Sequence, residues 1–251
     1  MLVVVFRQSA APEAAARAAR ALGMPPAEMA MKLRGVLPRV VLADGDDARV
    51  TAAAEALEEL GFAAVACDPA AAPGDAERVV ARKVEVGREG LVVWDGGGEE
   101  QVCPGRAVAL VVRGIRTRAT VEKVTTSERR FSPERAVLSG GLLLTKTTKK
   151  TEVKRREEAE PFLLIHRADG EPDMMLYERQ IDYRALGAAM QPSSAANLAH
   201  VESRLRALAP RAGFDDRAAR PGFVTALPAT SAEPVDLALF LVLLAHARGC
   251  P

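Results

Sequence analysis

Hydrophobic and polar positions follow two different rhythms along this chain, and the change falls near residue 90. In the first 68 residues, short apolar runs alternate with stripes of helical spacing. The opening "LVVVF" predicts a strand. "SAAPEAAARAARALG" predicts a helix, with Ser9, Pro12 and Glu13 as start signals and Gly23 as the stop. "MPPAEMAMKLRG" predicts a second helix, because its prolines fall in the first turn and Met29, Leu33 and Val36 are spaced for one face. "PRVVLAD" reads as a strand. "GDDARVTAAAEALEELG" follows as an Asp-capped helix, with Val50, Ala53, Ala54, Leu57 and Leu60 on one stripe. "FAAVACD" is a third strand, so the order is β-α-α-β-α-β.

The stretch from Pro69 to Lys83 is rich in Ala, Pro and Gly and then charged. It reads as a linker running into a short helix, so that 69–88 separates a first domain, 1–68, from a second, 89–251. From Gly90 the pattern is that of strands. "GLVVWDGGGEEQVCPG" predicts a hairpin turning at Gly96 to Gly98, and "PFLLIHRADGEPDMMLYERQ" another turning at Asp169-Gly170. "SSAANLAHVESRLRAL" predicts a capped helix with Leu198, Val201, Leu205 and Leu208 on one stripe. Residues 213–234 read as a loop. "VDLALFLVLLAHA" reads as a buried helix, since about a dozen apolar residues fall short of the roughly 20 that span a bilayer. The expected class is α+β: an α/β module, then a β-rich domain with a long basic hairpin and C-terminal helices.

Around Phe131 the pattern mirrors itself. Residues 108–130 run from "VALVV" into "TRATVEKVTTSERR", and 142–167 run from "TKTTKKTEVKRREE" back to "FLLIH". Two threonine-rich strands whose apolar ends sit together predict a hairpin with its base in the core and its far half solvated. "FSPERAVLSGG" reads as its cap, a short helix begun by Ser132, Pro133 and Glu134 and ended at Gly140-Gly141.

Charge sharpens the picture of this arm. The chain's net charge is only +1, but Arg106 to Arg156 holds 14 basic and 4 acidic residues, a local net of +10. The remainder, 20 basic against 29 acidic, carries −9. Such asymmetry marks an anion-facing surface. The residues that would contact a partner or anion are Arg129, Arg130, Lys146, Lys149, Lys150, Lys154, Arg155 and Arg156. The plain alternative is a solvated edge whose charges deter pairing with other strands.

The order of the first 68 residues, with "ALGMPPAEMAMKLRGVLPRVV" followed by "ALEELGFAAVAC", resembles the C-terminal domain of ribosomal protein L7/L12. The protease adaptor ClpS is similar in fold. The likeness covers about a quarter of the chain. It rests on helix spacing, Pro38 after the second helix and the "LEELGF" step. The resemblance implies a compact α/β module; the ribosomal domain engages translation factors with lysines on its helix pair, and in the comparable stretch here only Lys32 and Arg34 stand, amid alanine and methionine. The strands and closing helix of the remainder are weakly similar to bacterial pleckstrin-homology-like domains.

Candidate chemistry is sparse. Walker, GxGxxG, HExxH and GxSxG patterns are missing. Cys67, Cys103 and Cys250 are an odd set without CxxC spacing, which argues against a disulfide framework or cysteine zinc site and suits a reducing compartment. His166, His200 and His246 are far apart in sequence, and "GFDDR" (Phe214 to Arg217) pairs two carboxylates with an arginine as a weak candidate. "MLVVVFRQ" is too short an apolar run for an export signal, so a cytoplasmic protein without a transmembrane segment is expected. No catalytic residue, cofactor or metal is expected. The function expected is that of a non-enzymatic, adaptor-like binding or regulatory protein with an unidentified protein partner. The alternative is binding of nucleic acid or an anionic membrane surface through the basic arm, 106–156.

Overall fold

The computed structural model describes residues 1–11, 13–131, 145–220 and 222–250, with the backbone course alone for 118–131 and 145–157. The chain divides into two compact units: Met1–Arg116 with Pro161–Pro251, and Thr117–Glu160. The class is α+β, as expected.

The first unit opens with β1 (Leu2–Arg7), α1 (Ala14–Ala21), α2 (Pro26–Lys32), β2 (Arg39–Ala43), α3 (Asp47–Glu59) and β3 (Ala63–Cys67). These follow the order read from the sequence. Asp46 caps α3, its Oδ1 accepting from the Ala48 and Arg49 amides at 3.0 and 3.2 Å. β1 is the centre of an antiparallel sheet, order β2-β1-β3. Val3 and Val5 pack under the three helices with Met29, Val50 and Leu57. By strand alternation Leu2, Val4 and Phe6 occupy the opposite face, and they too are buried.

That second face is covered by the C-terminal helix. Leu237, Leu241 and Ala245 cluster with Leu2, Val4, Phe6 and Cys67. The expected boundary at 68 therefore falls inside a compact unit. The expected linker differs too: after two short 3-10 turns, Pro69–Ala71 and Asp75–Glu77, the stretch 69–88 holds β4 (Val79–Val80) and β5 (Lys83–Val86), both paired into sheets. Val79, Val84 and Val86 supply apolar positions that Ala and Pro in the preceding stretch obscure.

β6 (Gly90–Trp94) and β7 (Glu100–Pro104) form the first expected hairpin, in a sheet ordered β5-β6-β7. Its turn is tied by Asp95, whose Oδ1 accepts from the Gly97 and Glu99 amides at 2.8 and 2.9 Å, while Gly98 takes φ 82°, a left-handed conformation suited to glycine.

β8 (Val108–Phe131), β9 (Thr145–Arg167), β10 (Met174–Tyr177) and β11 (Gly213–Asp215) build a five-stranded sheet in the order β11-β8-β9-β10-β4. The hairpin turning at Asp169-Gly170 is present, with Met174 opposite Ile165. β11 corrects the expected loop over 213–234: three residues pair in parallel with Leu110 to Val112 of β8. So short a strand leaves no periodicity to read.

α4 (Ser194–Leu208) is capped by Ser193 and buries Leu198, Val201 and Leu205 against Val111, Leu163, Ile165 and the inner face of β5-β6-β7. α5 (Pro234–Ala247) is apolar on every side because it packs on two sheets. One side meets β1. Ala238, Leu239 and Val242 meet Leu110, Val112, Phe162 and Met175. Among the described residues no helix is long and apolar enough to cross a membrane.

Candidate functional site

The residues singled out in the arm fall on two long strands. Arg129 and Arg130 lie on β8, and Lys146, Lys149, Lys150, Lys154, Arg155 and Arg156 on β9. These strands run 24 and 23 residues and are neighbours in the sheet. Threonines and valines at Thr117, Thr120, Val121, Val124, Thr125 and Thr126 explain why β8 continues far past its apolar start. The cap expected over 132–141 lies outside the described residues.

Around Arg116 of β8, within the first unit, a polar cluster gathers that the sequence does not reveal. Tyr177 Oη donates to Asp75, with Oδ1 and Oδ2 at 2.8 and 2.9 Å. The Arg116 guanidinium stacks over the Tyr177 ring at 3.3 Å and approaches Asp75 Oδ2 at 3.9 Å. Arg78, its side chain 2% exposed, pairs with Asp236 of α5 and donates to the Pro73 carbonyl. Burial pushes the Asp236 carboxyl above its ordinary range despite Arg78. Burial and then the Asp75 hydrogen bond push the Tyr177 phenol up. Asp75 and Arg78 come from the stretch read as linker, and Asp236 from a helix read as merely apolar. Sequence patterning carries no signal that would join them.

The weak candidate "GFDDR" resolves into a buried pin. Arg217 Nε donates to Asp215 Oδ1 and Oδ2 at 3.0 and 2.8 Å, and its amide donates to Oδ1 at 2.8 Å. His246 Nε2 of α5 lies 2.8 Å from Asp215 Oδ2, and Arg217 Nη1 reaches the Leu37 carbonyl at 3.2 Å. Burial works against the Asp215 carboxylate, but the Arg217 and His246 contacts outweigh it and hold its pKa below the usual range. Asp216 is instead exposed and pairs with Arg220.

The other histidines stand elsewhere. His166 Nδ1 faces both oxygens of Asp173, at 3.0 and 3.1 Å, across the β9–β10 hairpin. The hydrogen bond to Asp173, against some burial, raises the His166 pKa. His200 sits half-buried on α4. Among the described residues no group of three His, Cys, Asp or Glu side chains could hold a metal ion. Burial pushes the Cys67 thiol up to about 11 and raises that of Cys103.

A groove of about 820 Å³ opens beside the β6–β7 hairpin, bounded by Arg88, Val92, Val102, Pro104, Arg106 and Leu208. Gly105 lets the chain pass α4 here, for a Cβ would stand 2.7 Å from the Leu208 carbonyl oxygen. Comparison of the chain with protein families, curated proteins and solved structures finds no match.

Proposed function

We propose that this protein acts by binding rather than by turnover, and that the strand pair of residues 117–160 is the surface that meets its partner. One observation carries the reading. These residues form a compact unit of their own, with 11 basic and 7 acidic residues, while the rest of the chain has 23 basic and 26 acidic. A pair of long neighbouring strands offers a partner a long run of backbone and side chains without needing a large core of its own. The described histidines with carboxylate partners are spoken for as structural pins, and two of the three thiols are buried and protonated at neutral pH. An adaptor-like role toward another protein is the first reading.

The charge distribution favours a second: a phosphate-bearing partner recognised by Arg129, Arg130, Lys146, Lys149, Lys150, Lys154, Arg155 and Arg156. Titration of full-length protein against duplex DNA at rising salt separates the two. Phosphate contacts predict an affinity that falls with log salt at a slope of about −0.9 per contact. Reversing Lys146, Lys150, Lys154 and Arg156 to Glu should then abolish binding with the thermal melt unchanged. Anionic vesicles are titrated in parallel. Failure to bind either ligand at low salt removes the second reading. A partner captured from cell extract that is retained at high salt, and lost when 117–160 is replaced by a short turn, supports the first.

A further inference from the structure

We infer that the outer edge of β7 is a self-association surface, on which a second copy of this chain adds its own β7 in antiparallel register about Val102. The hydrogen-bond parity of the hairpin leads there. Gly105 N–H donates to the Glu89 carbonyl at 3.0 Å, and Asp95 N–H to the Glu99 carbonyl at 3.1 Å, one at each end of the β6–β7 ladder. Both pairs lie in the same register as Leu91–Cys103 and Val93–Gln101. Alternation therefore makes Gln101 and Cys103 the positions of β7 bonded to β6. The peptide groups of Glu100 and Val102, and the Pro104 carbonyl, turn outward to an edge with no strand beyond it among the described residues.

The opposite edge of this sheet is treated differently. There Lys83 bridges to Asp182, and the turn Tyr183–Ala189 follows. Edges left open in natural sheets are ordinarily blunted by charge, proline or a covering segment. β7 has Pro104 at its end but an apolar residue at its middle: Val102 is 49% exposed, one of few large apolar side chains so placed among the described residues. It stands opposite Val92 on the same outer face.

Charge identifies the occupant. Glu100 opens β7 and Arg106 sits in the 3-10 turn just past its end, on either side of Val102; both are exposed, and neither side chain has a hydrogen-bond or ion-pair partner among the described residues. Antiparallel pairing of β7 with itself puts Val102 against Val102 of the second copy. It also puts Pro104 opposite Glu100; Arg106, two residues on in the 3-10 turn Gly105–Ala107 and lining the same groove as Val102 and Pro104, then lies within side-chain reach of that Glu100. The two-fold axis repeats the pair, so each copy donates one cation and one anion. An unrelated acidic strand would satisfy Arg106 but leave Glu100 facing like charge. The same chain satisfies both.

Sedimentation equilibrium on the full-length protein tests this. The wild type should show dimer mass. Val102→Lys should be monomeric, as should Glu100→Arg and Arg106→Glu separately, each placing like charges together at both ends of the interface. Mixing Glu100→Arg with Arg106→Glu should restore a dimer, because each then meets its opposite; that rescue also shows that the variants are folded. A monomeric wild type overturns the inference, as does a dimer that survives Val102→Lys or a mixture that fails to reassociate.

Discussion

His246 Nε2 and Asp215 Oδ2, 2.8 Å apart, fasten the last helix to a three-residue strand that pairs with the start of β8. Asp215 and Arg217 are both buried, so neither charge has water to fall back on. Asp215→Asn should leave Arg217 uncompensated and cost about 3–5 kcal/mol in urea unfolding. The pH dependence has a definite sign. Because the native Asp215 pKa lies below its ordinary value of about 3.9, its contribution is complete above that value and is lost as pH falls through the lower native one. Acid unfolding of Asp215→Asn should therefore be less steep than that of the wild type. Identical profiles would show that the pin contributes nothing.

His166 and Asp173 act in the opposite direction. The His166 pKa is raised, so whatever the pair adds is fully present below the ordinary histidine value and disappears as pH rises through the native one. NMR titration of the His166 ring should show a midpoint above the ordinary value of about 6.5. In Asp173→Asn that midpoint should fall to it or below, because only the burial of the ring then acts. A wild-type midpoint at or below the ordinary value would mean that Asp173 leaves the imidazole untuned.

The sequence's legibility varied with the length of each element. α3, with Leu57 on its stripe, and the hairpin around Gly98 declared themselves through periodicity and turn chemistry. β4 and β11 have two and three residues, too short for any period, and only their sheets define them. The sequence marks α5 as buried, but an all-apolar helix does not say what it lies between. Its two faces explain why the expected cut at residue 68 does not separate compact units. Asp75, Arg78 and Asp236 were invisible as a cluster because Arg78 and Asp236 are 158 positions apart. Strand placement for Lys146 to Arg156 was legible because Thr and Val favour extended backbone regardless of what the basic residues do.

Gly114 shows where packing, rather than a turn, demands glycine. A Cβ there would overlap the ring of Phe162, a fully buried side chain set edge-on to Tyr177 with centroids 6.0 Å apart. Gly114→Ala should cost about 1–3 kcal/mol through overpacking. Adding Phe162→Leu should recover part of that loss, because the smaller side chain vacates the space the methyl needs. Denaturant melts of the four members of this cycle measure the coupling. Additive losses would mean the strand shifts as a whole instead of the ring giving way.

The first 68 residues test how far a module with its own helices depends on a distant segment. Val3, Val5, Met29, Val50 and Leu57 make one core under α1 to α3, enough to suggest independence. Yet Leu2, Val4 and Phe6, each at most 3% exposed, lose their cover if α5 is absent. A fragment of residues 1–72 should therefore melt without cooperativity or bind an apolar dye. A peptide of residues 233–250 added in trans should restore a cooperative melt, because Leu237, Leu241 and Ala245 supply the missing face. In the full chain, Leu241→Ala should cost about 2–5 kcal/mol, as expected for a leucine buried on all sides. A fragment that melts cooperatively, and is indifferent to the peptide, would show that the helix-covered core suffices and that α5 only docks onto a finished domain.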